Sequence, residues 1–161
     1  MMRDRVRQWL TATDLPSKED FAFAGEVLDE RLYTLFVRQH PRDVLHGVKT
    51  AIWLLDRGYD DLDLITAALV HDIAKGAQRR RDRAAFVIAS DLGVARWVAD
   101  SRSPYELRRA VGRTLVHSQR GAAMLERAGA SEEVIALTLR HHSDPRDDPV
   151  LALLQQADSA T

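Results

Sequence analysis

Residues 62–76 read LDLITAALVHDIAKG, the most hydrophobic stretch of the chain. Ile65, Ala67, Ala68, Leu69, Val70, Ile73 and Ala74 surround an adjacent pair, His71 and Asp72. Asp60 or Asp61 can cap the start of a helix here and Gly76 can end it, so the pattern predicts a buried helix running to about Lys75. Burying a carboxylate is costly unless it is paired or bound to a metal, so something positive must face Asp72. Taken alone, the pair fits a buried Asp–Arg or Asp–His contact better than a metal site.

Working outward, the rest of the chain reads as helix. Apolar residues recur at three and four positions, and no alternating strand pattern is found. Upstream, Pro41 opens a helix over about Arg42 to Arg57 that is apolar on most of its circumference through Val44, Leu45, Val48, Ala51, Ile52, Trp53, Leu54 and Leu55, and Gly58 ends it. Before it, Ser17 and Asp20 mark a helix start after Pro16, with a helix to about Gln39, preceded by a short segment carrying Val6, Trp9 and Leu10.

Downstream, Ala84 to Ala89 and Val94 to Ala99 suggest two short helices separated by Asp91 and Gly93. Ser103, Pro104 and Glu106 form a capping signature for a helix to about Val116. Further helices are expected from Gln119 to Ala128, ended by Gly129, and from Ser131 to His142, where Glu132 and Glu133 suit the positive end of the dipole. Asp148 and Pro149 start a last one. The fold class is all-α.

The chain has 161 residues and 45% apolar composition, which suits one domain with one core. It has no cysteine, so disulfides, thiolate metal sites and cysteine nucleophiles are excluded, and a metal must be held by histidine and carboxylate. No apolar run approaches the roughly 18 residues of a membrane span, and Met1 to Pro16 lacks the core of a signal peptide, so a cytoplasmic protein without a membrane partner is expected. The net charge of −1 is unevenly distributed: 11 Lys and Arg stand against 4 Asp and Glu from Lys75 to Arg120, a balance of +7 against −8 elsewhere. Such asymmetry points to an anionic partner, although Arg79, Arg80, Arg81 and Arg83 by themselves also fit a solvated helical face.

Other polar residues fall where a core is expected. Val150, Leu151, Leu154 and Ala157 form a one-sided stripe whose next position is Asp158. His46 lies opposite the main stripe of its helix, with Thr50 and Trp53. His117 shares a face with Gly121, whose missing side chain would leave room for an ion or ligand, and His141 and His142 flank the face marked by Val134 and Thr138. Singly, each fits a satisfied or solvated side chain. Together, five imidazoles and two carboxylates on five helices packed around one core are the ligand types that suit Fe, Mn, Zn or Co, with a carboxylate able to bridge two ions.

The order of these residues resembles that of the HD superfamily: an early His, a His-Asp pair in an apolar helix, and a late Asp. The matching strings are LHGVKTA with His46, AALVHDIAKG with His71, Asp72 and Lys75, VHSQRGAAML with His117 and Gly121, LRHHSD with His141 and His142, and LLQQADSAT with Asp158. The resemblance runs from about Val44 to Thr161. With the chain length it implies a single HD domain over residues 1–161, with 44–161 as the core, a bundle of about seven to nine helices around a central metal site, and 1–40, which the resemblance leaves unassigned, as an N-terminal helical extension. It further implies that His46, His71, Asp72 and Asp158 hold one divalent ion, while His117 and one or both of His141 and His142 hold a second bridged by Asp72. Fe or Mn is favoured, with Zn, Co, Ni or Mg also compatible.

By the same resemblance the chain is a metal-dependent phosphohydrolase, a phosphomonoesterase or phosphodiesterase in which a metal-activated hydroxide attacks a nucleotide or related phosphate ester. Asp72 and Lys75 are the catalytic candidates. Lys75 would touch a substrate phosphate, joined by Arg79, Arg113 or Arg140. Departures from the pattern bear on the substrate. The chain reads SDPRDDP after His142, without the GYP element of cyclic di-GMP phosphodiesterases, and it lacks the HTTG-like string of diadenosine tetraphosphate hydrolases. HHSD and ADS look most like the HD domain of ribonuclease Y, so RNA is kept beside small nucleotides as a partner, and a homodimer is left open. Two other classes use the same residues: a diiron oxygenase resembling inositol oxygenase, and a nucleotide- or RNA-binding module without turnover.

Overall fold

The computed structural model describes residues 15–75 and 106–161, with the backbone alone over 106–115. The described residues form seven helices and no strand: α1 (Lys18–Val27), α2 (Glu30–Phe36), α3 (Pro41–Leu55), α4 (Leu62–Val70), α5 (Glu106–Ala128), α6 (Glu132–Arg140) and α7 (Pro149–Ala160). None of them is long and apolar enough to cross a membrane. The N-terminal segment with Val6, Trp9 and Leu10, the two short helices expected between Ala84 and Ala99, and the Ser103 capping signature lie outside the described residues.

Short polar side chains set the helix starts. Ser17 accepts from the Asp20 amide while Asp20 accepts from the Ser17 amide, a reciprocal pair that satisfies two donors at the start of α1. Asp61, Ser131 and Asp148 each accept from the amide three residues on, at α4, α6 and α7. The single helix expected from Ser17 to Gln39 is instead two. Leu28 leaves the helix in extended conformation and Asp29 starts α2 by accepting from the Leu32 amide at 2.8 Å. An aspartate that can cap is a ready break point. The reverse holds for α5: the two helices expected to meet near Val116 to Gln119 are one, because His117, Ser118 and Gln119 all tolerate a continuous ladder and no proline interrupts it.

The helix of the LDLITAALVHDIAKG segment lies at the centre of the described fold. α4 packs against α1, α3, α6 and α7, and every residue from Leu64 to Val70 is buried. A helix covered on all sides has no polar stripe, which is why its sequence reads as a nearly continuous apolar run. Phe36, Val44, Val48, Leu54, Leu125, Leu137, Leu151 and Leu154 complete the core around it. α3 is more open than its composition suggests, because Ile52 and Leu55 lie on its solvent side, 40% and 38% exposed.

α4 is shorter than expected. Its last helical residue is Val70, with His71 as the C-cap, and the chain then tightens: the Ile73 amide donates to Val70 O and the Lys75 amide to Asp72 O. The His71–Lys75 motif therefore occupies turns at the buried end of the helix rather than its interior, and Lys75 is carried beside Asp72 by three-residue spacing.

Gly47 brings α3 onto this helix. A Cβ at that position would lie 2.6 Å from the Leu69 carbonyl oxygen and 3.3 Å from the Leu69 Cα. Only glycine permits this approach of two backbones, and it sets His46 next to the end of α4. Gly47→Ala should therefore destabilise the metal-free protein by roughly 1–3 kcal/mol, measured by denaturant unfolding. An unchanged midpoint would show that the two helices can separate without cost.

Candidate metal centre

Helix ends aim the central imidazoles. His71 and His141 are the C-cap residues of α4 and α6. Each ring folds back on its own last turn: His71 Nδ1 donates to Ala68 O at 3.0 Å and His141 Nδ1 donates to Thr138 O at 2.6 Å. A proton committed to Nδ1 leaves a lone pair on Nε2 in the neutral ring, and both Nε2 atoms point to the same interior space. His117 comes from α5, His46 from α3 and Asp158 from the last turn of α7. His142 follows His141 in the turn and is the solvent-facing member.

These side chains form two groups. His117 Nε2 lies 3.2 Å from both His141 Nε2 and His142 Nε2. On the other side, His46, His71 and Asp72 bring ligand atoms within 4.8 Å of one another, and Asp158 Oδ1 is 2.7 Å from His46 Nε2 and 3.3 Å from His71 Nε2. Asp72 stands between the groups. Its Oδ1 lies 3.3 Å from His117 Nε2 and 3.9 Å from His141 Nε2, while its Oδ2 lies 3.7 Å from His71 Nε2 and accepts from the Lys75 ammonium.

Proton bonds alone do not satisfy this arrangement. Among the described residues, His71 Nε2 and Asp72 Oδ1 are buried without an aligned hydrogen-bond partner, although each has close neighbours. Three imidazole Nε2 atoms converge, and the ring of His141 has already spent its proton on a carbonyl. Buried polar atoms of this kind are costly unless something cationic lies among them. Neutral nitrogen and carboxylate oxygen are the donor set for Mn, Fe, Co, Ni or Zn, so the residues fit divalent ions.

The charge balance agrees. Burial works against ionised Asp72, but the His71, His117 and Lys75 contacts outweigh it and hold the carboxyl well below its ordinary range. Asp158 behaves alike: burial is more than offset by the hydrogen bond from His46 and by the close His71 ring. His71 loses by burial and gains more from Asp72 and Asp158, so it titrates above an ordinary histidine. Burial and the neighbouring His71 and His142 rings push His141 down to about 3, and burial with His117 lowers His142. Both carboxylates are thus ionised and His141 is neutral near pH 7, the states in which they can act as ligands.

All seven ligand candidates read from the sequence converge here, and His141 Nε2 and His142 Nε2 both lie 3.2 Å from His117 Nε2. Other expectations change. The space beside Gly121 is filled by the Thr138 and Ile73 methyl groups, 3.3 and 3.4 Å from where its Cβ would stand, because α5 packs tightly on α6 at this point. The missing side chain serves helix packing and leaves no room for an ion. Arg140 donates to Asp148 at 2.8 Å beside the start of α7, whereas Arg79 and the Arg113 side chain lie outside the described residues.

Sequence reasoning missed Thr161 and Gln155. Thr161 Oγ1 lies 3.4 Å from His46 Nδ1 and 3.0 Å from Thr50 Oγ1. The Gln155 side-chain amide donates to His141 O at 3.2 Å and to Ser143 O at 2.6 Å. The available signal was its position one turn before Asp158 on the same helix.

Two outcomes follow. Asp72→Ala should purify with metal lost from both groups, read by elemental analysis, because it removes the one side chain that faces both; full metal content in this variant would place the ions elsewhere. Adding Mn or Fe to chelated wild-type protein should raise its Tm, the stabilisation reaching about 2.7 kcal/mol when free ion exceeds Kd about a hundredfold. A Tm indifferent to metal would count against ligands drawn from several packed helices.

Comparison with curated proteins finds no match, and none is found among solved structures. The sequence pattern of the family described as HD domain matches residues 37–161. That span holds every residue of both groups, from His46 on α3 to Asp158 on α7, and the chain is a member of the HD domain family.

Proposed function

We propose that the chain hydrolyses a phosphate ester, of a nucleotide or related compound, at a pair of divalent ions held by the two groups. The placement of Asp72, one carboxylate oxygen toward each group, carries this reading. His46, His71 and Asp158 would complete the first site, and His117, His141 and His142 the second. Bound there, divalent ions would supply activation of water near neutral pH and charge compensation for phosphoryl oxygens.

The chain's own groups support the rest of the reaction. Hydrolysis joins a water oxygen to phosphorus and releases the ester oxygen as an alcohol, so negative charge must be held while the bond changes. Lys75 is poised for that: its side chain is 20% exposed and its ammonium rests on Asp72 Oδ2. A phosphate arriving beside Asp72 meets a cation already at hand, with no separate desolvation of the lysine needed. The exposed His142 marks the side of the centre open to solvent. This cation beside the ligand cluster suits phosphate chemistry, in which negative charge must be held on the substrate.

Phosphate release from a panel of nucleotides, with Mn or Fe restored, tests the reading. Turnover should require divalent metal and proceed equally without oxygen. Lys75→Met should keep its metal but lose kcat/KM by about tenfold or more, equivalent to about 1.4 kcal/mol. Metal-loaded protein that consumes oxygen, or that binds nucleotides without turnover, would overturn it.

A further inference from the structure

Gln155 has no place among the ligands, yet its two amide hydrogens meet two carbonyls of one short turn. Its Nε2 lies 3.2 Å from His141 O and 2.6 Å from Ser143 O. Those two carbonyls flank His142. The turn follows the last residue of α6, where the final carbonyls of a helix lose their intrahelical partners. A side chain from α7 satisfies them, and in doing so holds the backbone on both sides of His142.

Among the described residues, the ring of His142 lies 3.9 Å from the His141 ring between centroids and meets His117 at its tip, without a bond to a carbonyl of its own helix. His71 and His141 are locked by bonds to their own carbonyls, whereas His142 is solvent-facing and reaches His117 from a turn. Without Gln155, the turn's remaining backbone closure among the described residues is the Ser143 amide on Arg140 O, which would let that ring swing toward water. Gln155 also stands three residues before Asp158 on α7. The same helix therefore carries a ligand of the first group and the clamp on the second.

We propose that Gln155 is a positioning residue for the second metal site: it fixes the His141–Ser143 turn so that His142 and His141 face His117 together. The proposal rests on the two-ion reading above. Loss of such outer contacts weakens metal affinity by roughly 10–100-fold, and the loss here falls on one ion.

Gln155→Leu, which keeps the bulk without donors, and Gln155→Glu, which sets a carboxylate against the two carbonyls, are titrated with Mn beside wild type by calorimetry, with Tm recorded metal-free. Wild type should bind two ions. Both variants should keep the first-ion affinity, with at most a small fall in metal-free Tm, while the second ion binds at least about tenfold more weakly. Two ions bound as in wild type would overturn the positioning role, and so would a fall in metal-free Tm with both affinities weakened together, which is a structural role only. If wild type itself takes up fewer than two ions, the two-ion reading fails, and the proposal with it.

Discussion

Asp72 is a carboxylate 3% exposed to solvent at the buried end of the most apolar helix in the molecule. Such a group is tolerated only among cationic or proton-donating neighbours, and the side chains around Asp72 meet that demand only in part, leaving Oδ1 without an aligned donor among the described residues. His71 and Lys75 come from its own turn and His117 from α5, while the neutral His141 ring at the end of α6 turns a lone pair toward it, as a metal ligand requires. The packing of α4 against four other helices brings those groups in, and Gly47 lets α3 close up to add His46.

The helix ends serve function through the same physics that satisfies them. At the C-terminus of a helix the last carbonyls need donors. At both α4 and α6 a histidine sits at that point, gives its Nδ1 proton to the carbonyl three residues back, and turns its other nitrogen inward. Local capping thus selects the tautomer that a metal ligand requires. Two unrelated segments of sequence arrive at the same solution, and their rings meet at 5.2 Å between centroids.

Much of this was legible in the residues. A histidine and an aspartate inside LDLITAALVHDIAKG contradict the hydrophobic pattern, and Asp158 contradicts the stripe of α7 in the same way. Such contradictions identify a site because burial makes them costly. Helix limits were less legible. Asp29 broke a predicted helix because a capping side chain competes with the ladder, and α5 ran on because nothing in its middle forbids it. Gly121 was read as open space, but an absent side chain is filled whenever a neighbouring helix can approach, as Thr138 does. Gln155 escaped notice because a polar residue on a half-buried face has no periodic signature. Its meaning depends on a turn twelve and more residues away in sequence.

The central claim is that two ions lie on either side of Asp72. Anomalous diffraction from crystals grown with Mn measures it most directly. Two peaks are expected, one enclosed by His46, His71 and Asp158 and one by His117, His141 and His142, with Asp72 in contact with both. A single peak, or peaks that leave Asp72 without a metal neighbour, would contradict the account.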